Sequence, residues 1–394
     1  MKSYKNLYPQ IHSFETLYTA YRAARRGKRG RVAVARFEFD LEHNLLELQA
    51  ELREQSYRPG AYTNFHIYEP KRRLVSAAPF RDRVVHHALC RTIEPIWEAR
   101  FVHTSFACRV GKGTHAALDQ CQAWLRQYRY AFHGDVVKYF PSIDHHILRG
   151  LLARHIADRQ TMGLVDRILD SGAGIQADEC PVTYFPGDDL FAALRPRGLP
   201  IGNLTSQFWA NVYLHELDLF AKHVLRCSAY LRYMDDFILY SDDKAQLQEW
   251  IEAIREFLAC RLRLVLHPKK SPVFPVAVGI DFCGFRLYPT HRRLRRTSVR
   301  RFVRRLRRQR EAYRRGELAL EEMSLSVQSW IAHAAHGDTW RLRRRIFGDY
   351  PIGAPAVSPP PLTAPAGLPN PAVRAGLATV GSPGRSNQEI GART

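Results

Sequence analysis

Two adjacent aspartates, Asp235 and Asp236, interrupt an apolar and aromatic stretch that reads Ala229-Tyr-Leu-Arg-Tyr-Met-Asp-Asp-Phe-Ile-Leu-Tyr-Ser241. Either flank alone would be a buried strand. In one continuous strand neighbouring side chains point to opposite faces, so the pair is best placed at the tip of a β-hairpin. Two carboxylates held together repel unless a cation lies between them, which predicts a divalent metal site rather than a plain polar turn. A second stretch, Tyr130-Ala-Phe-His-Gly-Asp-Val-Val-Lys-Tyr-Phe-Pro-Ser-Ile-Asp144, is an apolar run ending in Asp135 and followed by a helix start. If that run lies beside the hairpin, Asp135 and Asp235 converge and can hold two metals ~4 Å apart, the arrangement that serves phosphoryl transfer. Asp144 reads as a helix-start residue.

Other motifs are set aside on spacing. Gly187-Asp188-Asp189 also pairs two aspartates, but it follows Pro186, lacks flanking strands and reads as a loop. Gly111-Lys-Gly-Thr114 lacks the glycine five residues before Gly111 that a phosphate-binding P-loop requires. His86, His87, His145 and His146 form no metal-ligand spacing with cysteine and read as helix residues.

The elements that must position these carboxylates follow from periodicity. Helical patterns cover residues 38–55, 81–99, 114–128, 145–170, 207–226 and 244–262, and strand-like runs cover 131–137, 229–234, 237–241, 263–266 and 280–287. Their mixed order points to an α+β fold. The 59 Lys and Arg against 38 Asp and Glu leave a net charge of +21, and 45% hydrophobic residues match a globular protein. Such an excess favours a polyanionic partner, nucleic acid first. It is concentrated: residues 291–315 hold 13 Arg and one Glu, while Val299, Phe302, Val303, Leu306 and Tyr313 recur as one helical face. Arginines in that density suit contact with a phosphate backbone. Another basic helix end follows at Arg341, Arg343, Arg344 and Arg345. From Pro351 the text turns Pro-, Ala- and Gly-rich and cannot bury a core. Seven cysteines without a C-x-x-C pair suggest a reducing compartment. With no leader and no long apolar run, a cytoplasmic protein without membrane contact is expected.

The tetrad Tyr233-Met-Asp-Asp236, its order after the Asp135 segment and after Gly198-Leu-Pro-Ile-Gly-Asn-Leu-Thr-Ser-Gln207, resembles the reverse transcriptases. The likeness extends from about residue 65 to 345. Lys71-Arg-Arg-Leu-Val-Ser-Ala-Ala-Pro-Phe-Arg-Asp-Arg-Val-Val85 and Ser105-Phe-Ala-Cys-Arg-Val-Gly-Lys-Gly-Thr-His115 look like two fingers motifs. Gly279-Ile-Asp-Phe-Cys-Gly-Phe-Arg286 looks like the primer-grip hairpin. The resemblance implies a right-hand polymerase fold of fingers, palm and thumb, with a ferredoxin-like palm and a helical thumb. Its divisions would be residues 1–130 (N-terminal region and fingers), 131–290 (palm with an inserted fingers segment), 291–350 (Arg-rich thumb) and 351–394 (disordered tail).

The roles it implies are specific. Asp135, Asp235 and Asp236, with the Val136 carbonyl, would bind two Mg²⁺ ions, Mn²⁺ being a substitute. Lys71 and Arg73, and more weakly Arg109, would contact the triphosphate. Phe140 would lie beneath the incoming sugar and exclude a 2′-hydroxyl, unless it only packs the core. Ile201, Gly202 and Gln207 would line the nucleotide site. Arg300, Arg304, Arg307 and Arg308 would grip nucleic acid. Template RNA, a DNA or RNA primer and dNTPs are the implied partners.

Departures from the common pattern narrow the resemblance. Reverse transcriptases usually carry Gln-Gly in the central motif, with Pro after its Ser; this chain has Ile201-Gly202 and Ser206-Gln207. That wording is similar to the reverse transcriptases of diversity-generating retroelements, which copy RNA with frequent errors at adenines and often use a small basic accessory protein. Apolar Ile201 cannot offer the hydrogen bonds of a glutamine amide, and a site without them rejects wrong substrates less strongly. A prokaryotic or phage-encoded enzyme is the corresponding expectation. Retron, group II intron-like and abortive-infection (antiphage) enzymes are the alternatives, and a non-catalytic RNA-binding scaffold or an RNA-templated RNA polymerase are further ones.

Overall fold

Strand segments that alternate in side-chain direction form the centre of the molecule. The computed structural model describes residues 3–68, 72–268 and 272–349; Lys71 and the tail from 351 lie outside them. Nine strands are described: β1 (Thr63–Ile67), β2 (Arg73–Ala77), β3 (Tyr130–Gly134), β4 (Tyr230–Tyr233), β5 (Asp236–Ser241), β6 (Val273–Pro275), β7 (Ile280–Phe282), β8 (Phe285–Leu287) and β9 (Arg292–Leu294). The central sheet has the order β4-β5-β3-β6 and is antiparallel at every pairing. A hairpin β1-β2 and a three-stranded sheet β7-β8-β9 stand apart from it.

Period-two alternation gives the central sheet two buried faces. Phe132, Tyr230, Phe237 and Leu239 face a core built with the N-terminal helices and the helices Phe80–Glu98, His145–Ala153, Arg159–Gly172 and Leu204–Leu219. Ala131, Leu231, Ile238 and Tyr240 face a second core, shared with the helix Thr114–Leu125, the β7-β8-β9 sheet and the C-terminal helices. The fold is mixed helix and sheet, as the α+β expectation has it.

The Arg-rich segment forms the helix Arg296–Arg314, which buries Phe302 and Leu306. Phe302 stacks on Trp330 of the next helix, Leu320–Ala334, with ring centroids 3.9 Å apart. Val299 and Val303 pack beside them, while Arg300, Arg304, Arg307 and Arg308 are exposed. Among the described residues no helix is long and apolar enough to cross a membrane.

Several boundaries differ from the periodicity. The expected 145–170 helix is two, because Asp158 caps a fresh start at Arg159 and its other carboxylate oxygen accepts the Leu7 and Tyr8 amides at 2.7 and 2.9 Å. The 38–55 pattern breaks at Asp40 into Val32–Phe39 and Leu41–Arg53. The 207–226 helix starts earlier, at Leu204, and ends in a π-turn over Phe220–Val224. Residues 263–266 are no strand. Arg263 takes a left-handed φ of 48° at the helix end, and the chain then meets the Asp135 segment by single bonds, Val137 N to Val265 O (2.9 Å) and His267 N to Asp135 O (2.8 Å).

Candidate active site

β4 and β5 pair with Tyr233 opposite Asp236, so the turn residues are Met234 and Asp235. The expected hairpin is present, with one correction: Asp236 opens β5, and the tip is Met234-Asp235. Met234 has φ +59°, the hand that a two-residue hairpin turn requires and that glycine normally supplies. Asp135 follows β3 directly, and the Gly134–Phe237 register brings it across from Asp236. Glycine at 134 is needed for this approach, since a methyl group there would overlap the Phe237 ring.

Electrostatics reports the convergence. Burial pushes the Asp235 carboxyl up to about 6; the neighbouring Asp236 and then Asp135 add to the rise, and Arg73 opposes it. All three carboxylates therefore share one field, and Arg73, exposed on β2, faces it. His133 Nε2 lies 3.4 Å from Asp236 Oδ1. Among the described residues, no three His, Cys, Asp or Glu side chains are arranged as ligands of a single ion. Mg²⁺ does not need them to be: it is commonly held by one or two carboxylates, with waters and substrate phosphates completing the octahedron. A hard-oxygen set in which two carboxylates raise the proton affinity of the third, Asp235, fits such an ion.

The remaining expected residues divide. Phe140 is partly buried beside Tyr139, and its carbonyl accepts the Leu199 amide at 2.9 Å, which joins it to the Gly198–Gln207 segment. The Ile201 carbonyl accepts the Ser76 amide at 2.9 Å, and Gly202 lies against Val75 at φ +121°, a backbone conformation that would strain any side chain. The central motif is thus laid along β2. Gln207 is exposed and its Oε1 is 3.7 Å from Cys108 Sγ. Val136 is buried and bridges to Leu266.

Arg109 does not fit its expected role. Its guanidinium is folded inward, bonded to both Glu98 carboxylate oxygens and to the Val102, Ser105 and Glu98 carbonyls, so its donors are committed away from any triphosphate. Lys112 is likewise engaged, donating to the His103 carbonyl at 3.0 Å. Asp144 is a helix cap, accepting from the His146 and Ile147 amides. Lys71 lies outside the described residues. The hairpin β7-β8 reaches the site: Phe282 meets both Tyr233 and His133 edge-to-face at 6.2 Å.

A carboxylate cluster at the end of an antiparallel sheet, backed by these ordered motifs, can now be set beside known proteins. The family model described as "Reverse transcriptase (RNA-dependent DNA polymerase)" matches residues 68–287. The chain belongs to the reverse transcriptase family. It is 26% identical to Protein YkfC of Escherichia coli (strain K12) over 279 residues, covering 61% of this chain and 70% of that one. It is 27% identical to the group II intron-encoded protein LtrA of Lactococcus lactis subsp. cremoris over 182 residues, 45% of this chain but only 28% of that protein. Nuclear intron maturase 1, mitochondrial, of Arabidopsis thaliana matches at 31% over 90 residues, 23% of this chain and 13% of its own length. As a reverse transcriptase the chain is an RNA-directed DNA polymerase, a family that generally uses divalent metal ions.

Two polar residues beneath the site escaped the sequence reading: Asp218 and Asn211, which meet Arg232 under the turn. The available signal was Arg232 itself, an arginine inside a run of strand-forming apolar residues. A buried charge there requires a partner.

Proposed function

We propose that this reverse transcriptase makes cDNA on an RNA template by two-metal nucleotidyl transfer and is the error-prone enzyme of a diversity-generating retroelement. The observation that carries the polymerase reading is the strand register, in which Gly134 pairs with Phe237 and Tyr233 with Asp236, so that Asp135, Asp235 and Asp236 gather at one end of the sheet. Asp135, Asp235 and Asp236, with the Val136 carbonyl, would hold two Mg²⁺ ions. When bound, such ions supply charge stabilisation to the attacking and leaving oxygens. Arg73 orients the triphosphate, and Phe140 blocks a 2′-hydroxyl and so selects dNTPs. Arg300, Arg304, Arg307 and Arg308 hold the template–primer backbone, with binding that weakens steeply as salt rises.

Infidelity is assigned to the central motif, where Ile201, whose carbonyl accepts the Ser76 amide of β2, has an apolar side chain in place of an amide that would discriminate. Primer extension with RNA template, dNTPs and Mg²⁺ tests the activity, with Asp235→Ala as the inactive control; equal signal from both would defeat it. Sequencing the product tests the type: errors should concentrate at template adenines, and an even spread would defeat the retroelement reading. The LtrA and intron maturase likenesses favour a second reading, an intron-type enzyme. Tight binding of a structured intron RNA, together with even errors, would establish it. A small basic accessory protein belongs to the first reading only, and adding it should raise extension there.

A further inference from the structure

Arg232 is fully buried in β4, with only Tyr233 between it and the Met234-Asp235 turn. Its Nε and Nη2 donate to the two oxygens of Asp218, also fully buried, at 2.6 and 2.7 Å. Its Nη1 donates to Asn211 Oδ1 and to the Met234 carbonyl, both at 3.0 Å. The main chain of the same residue joins a different segment: Arg232 N donates to Thr104 O at 2.9 Å, and Phe106 N donates to Arg232 O at 3.0 Å. Asn211 closes the circuit by donating to the Ala107 carbonyl at 2.8 Å. Tyr230 donates its hydroxyl to Asp218 at 2.7 Å.

We propose that Arg232 is the positioning residue of the catalytic turn, with Asp218 fixing the plane of its guanidinium and Asn211 tying it to residues 104–107. It acts through Asp235, not on substrate. Two physical facts carry this. A buried ion pair is weak as a stability device, since apolar residues of similar volume often serve the fold as well. What a guanidinium offers instead is a rigid planar fork, and here two prongs lock on Asp218 while the third points at the turn. Secondly, the residue whose carbonyl it holds is Met234, whose positive φ is unfavourable for a side chain and persists only where its surroundings impose it. A displacement of about 1 Å in a reacting constellation can cost roughly 10²-fold.

The inference rests on the polymerase reading, which the Asp235→Ala control tests separately. Primer extension by the full chain is to be measured for Arg232→Lys and Asn211→Ala, each alone and with Met234→Gly, alongside thermal melting. Arg232→Lys should lower kcat by about 10²-fold and Asn211→Ala by about 10-fold, with KM for dNTP within about twofold, the mark of an interaction that matters in the transition state. With Met234→Gly, for which the turn's φ costs nothing, both losses should shrink by about 10-fold. Intact kcat in a folded variant, or equal loss in both backgrounds, overturns the proposal. If Arg232→Lys does not fold, Asn211→Ala in the two backgrounds decides by the same ratio. A wild type that extends no primer would overturn the polymerase reading and this proposal with it.

Discussion

The molecule contains two carboxylate clusters that look alike in the sequence and are opposites in the fold. At the β4-β5 turn, Asp135, Asp235 and Asp236 face one another with Arg73 as an exposed cation, and Asp235 is pushed up to about 6. At the second cluster, buried Asp144 and half-buried Asp188, whose carboxylate is covered, are set against two arginines. Arg195 Nη1 lies 2.7 Å from Asp188 Oδ2, and Arg263 Nη2 lies 2.8 Å from Asp188 Oδ1. Both guanidiniums also approach Asp144 Oδ2, at 3.4 and 3.7 Å. Burial alone would raise the Asp188 carboxyl, but the Phe185 amide and the two arginines hold it below the ordinary value. One cluster gathers carboxylates against one another, the arrangement a divalent cation would relieve; the other sets its carboxylates against two arginines and clasps the 180–198 segment to Arg263.

Breaking each cluster should therefore produce different losses. Asp236→Asn should remove nearly all primer extension, about 10³-fold or more, because several kcal/mol of charge stabilisation disappear at tenfold per 1.36 kcal/mol. Its melting temperature should not fall, and a variant that keeps a tenth of wild-type kcat would contradict the site. Asp188→Asn should do the reverse. Leaving two arginines without their carboxylate costs about 3 kcal/mol, near the low end for a broken buried pair because Arg263 is one-third exposed. Denaturant titration should show that loss, while kcat of the folded fraction stays near wild type. A large kcat defect would mean that the clasp also shapes the Asp135 segment.

How much of this was legible follows from the range of the interactions. The β4-β5 hairpin was readable because two acids inside an apolar alternating run have few local explanations. Asp144 as a helix cap was readable too, since a cap is a contact with the next three residues. The Asp188 clasp was not: its partner Arg263 is 75 residues away, and the sequence reading reached "loop" without any reason for the buried charge. Arg109 was misread for the same cause. A basic residue beside a glycine-rich turn suits a phosphate equally well, and only the fold brings Glu98 and three carbonyls around it. Of the hairpin β1-β2, β2 lies inside the 71–85 motif but was not legible as a strand, and β1 was not legible at all, because Thr63-Asn-Phe-His-Ile67 is mostly exposed and lacks clear alternation.

The smallest effect sharpens the contrast most, because its sign differs between the clusters. A carboxyl raised by folding binds its proton more tightly in the native state, so stability falls as pH rises from the ordinary aspartate value of about 3.9 through about 6. Without metal, Asp235→Asn should accordingly be more stable than wild type above pH 6, by at most about 2 kcal/mol given partial exposure, with the gap closing below pH 4. Divalent metal should erase the gap by stabilising the ionised wild type alone. A carboxyl lowered by folding behaves conversely: the stability Asp188 contributes is full above the ordinary value and is lost as pH falls through its depressed one. The deficit of Asp188→Asn should therefore be constant from pH 5 to 8 and shrink only in acid. Melting curves of the two variants against wild type from pH 3 to 8, with and without Mg²⁺, read both signs in one experiment. If both gaps moved in the same direction with pH, the two clusters would not be the opposites their geometry describes.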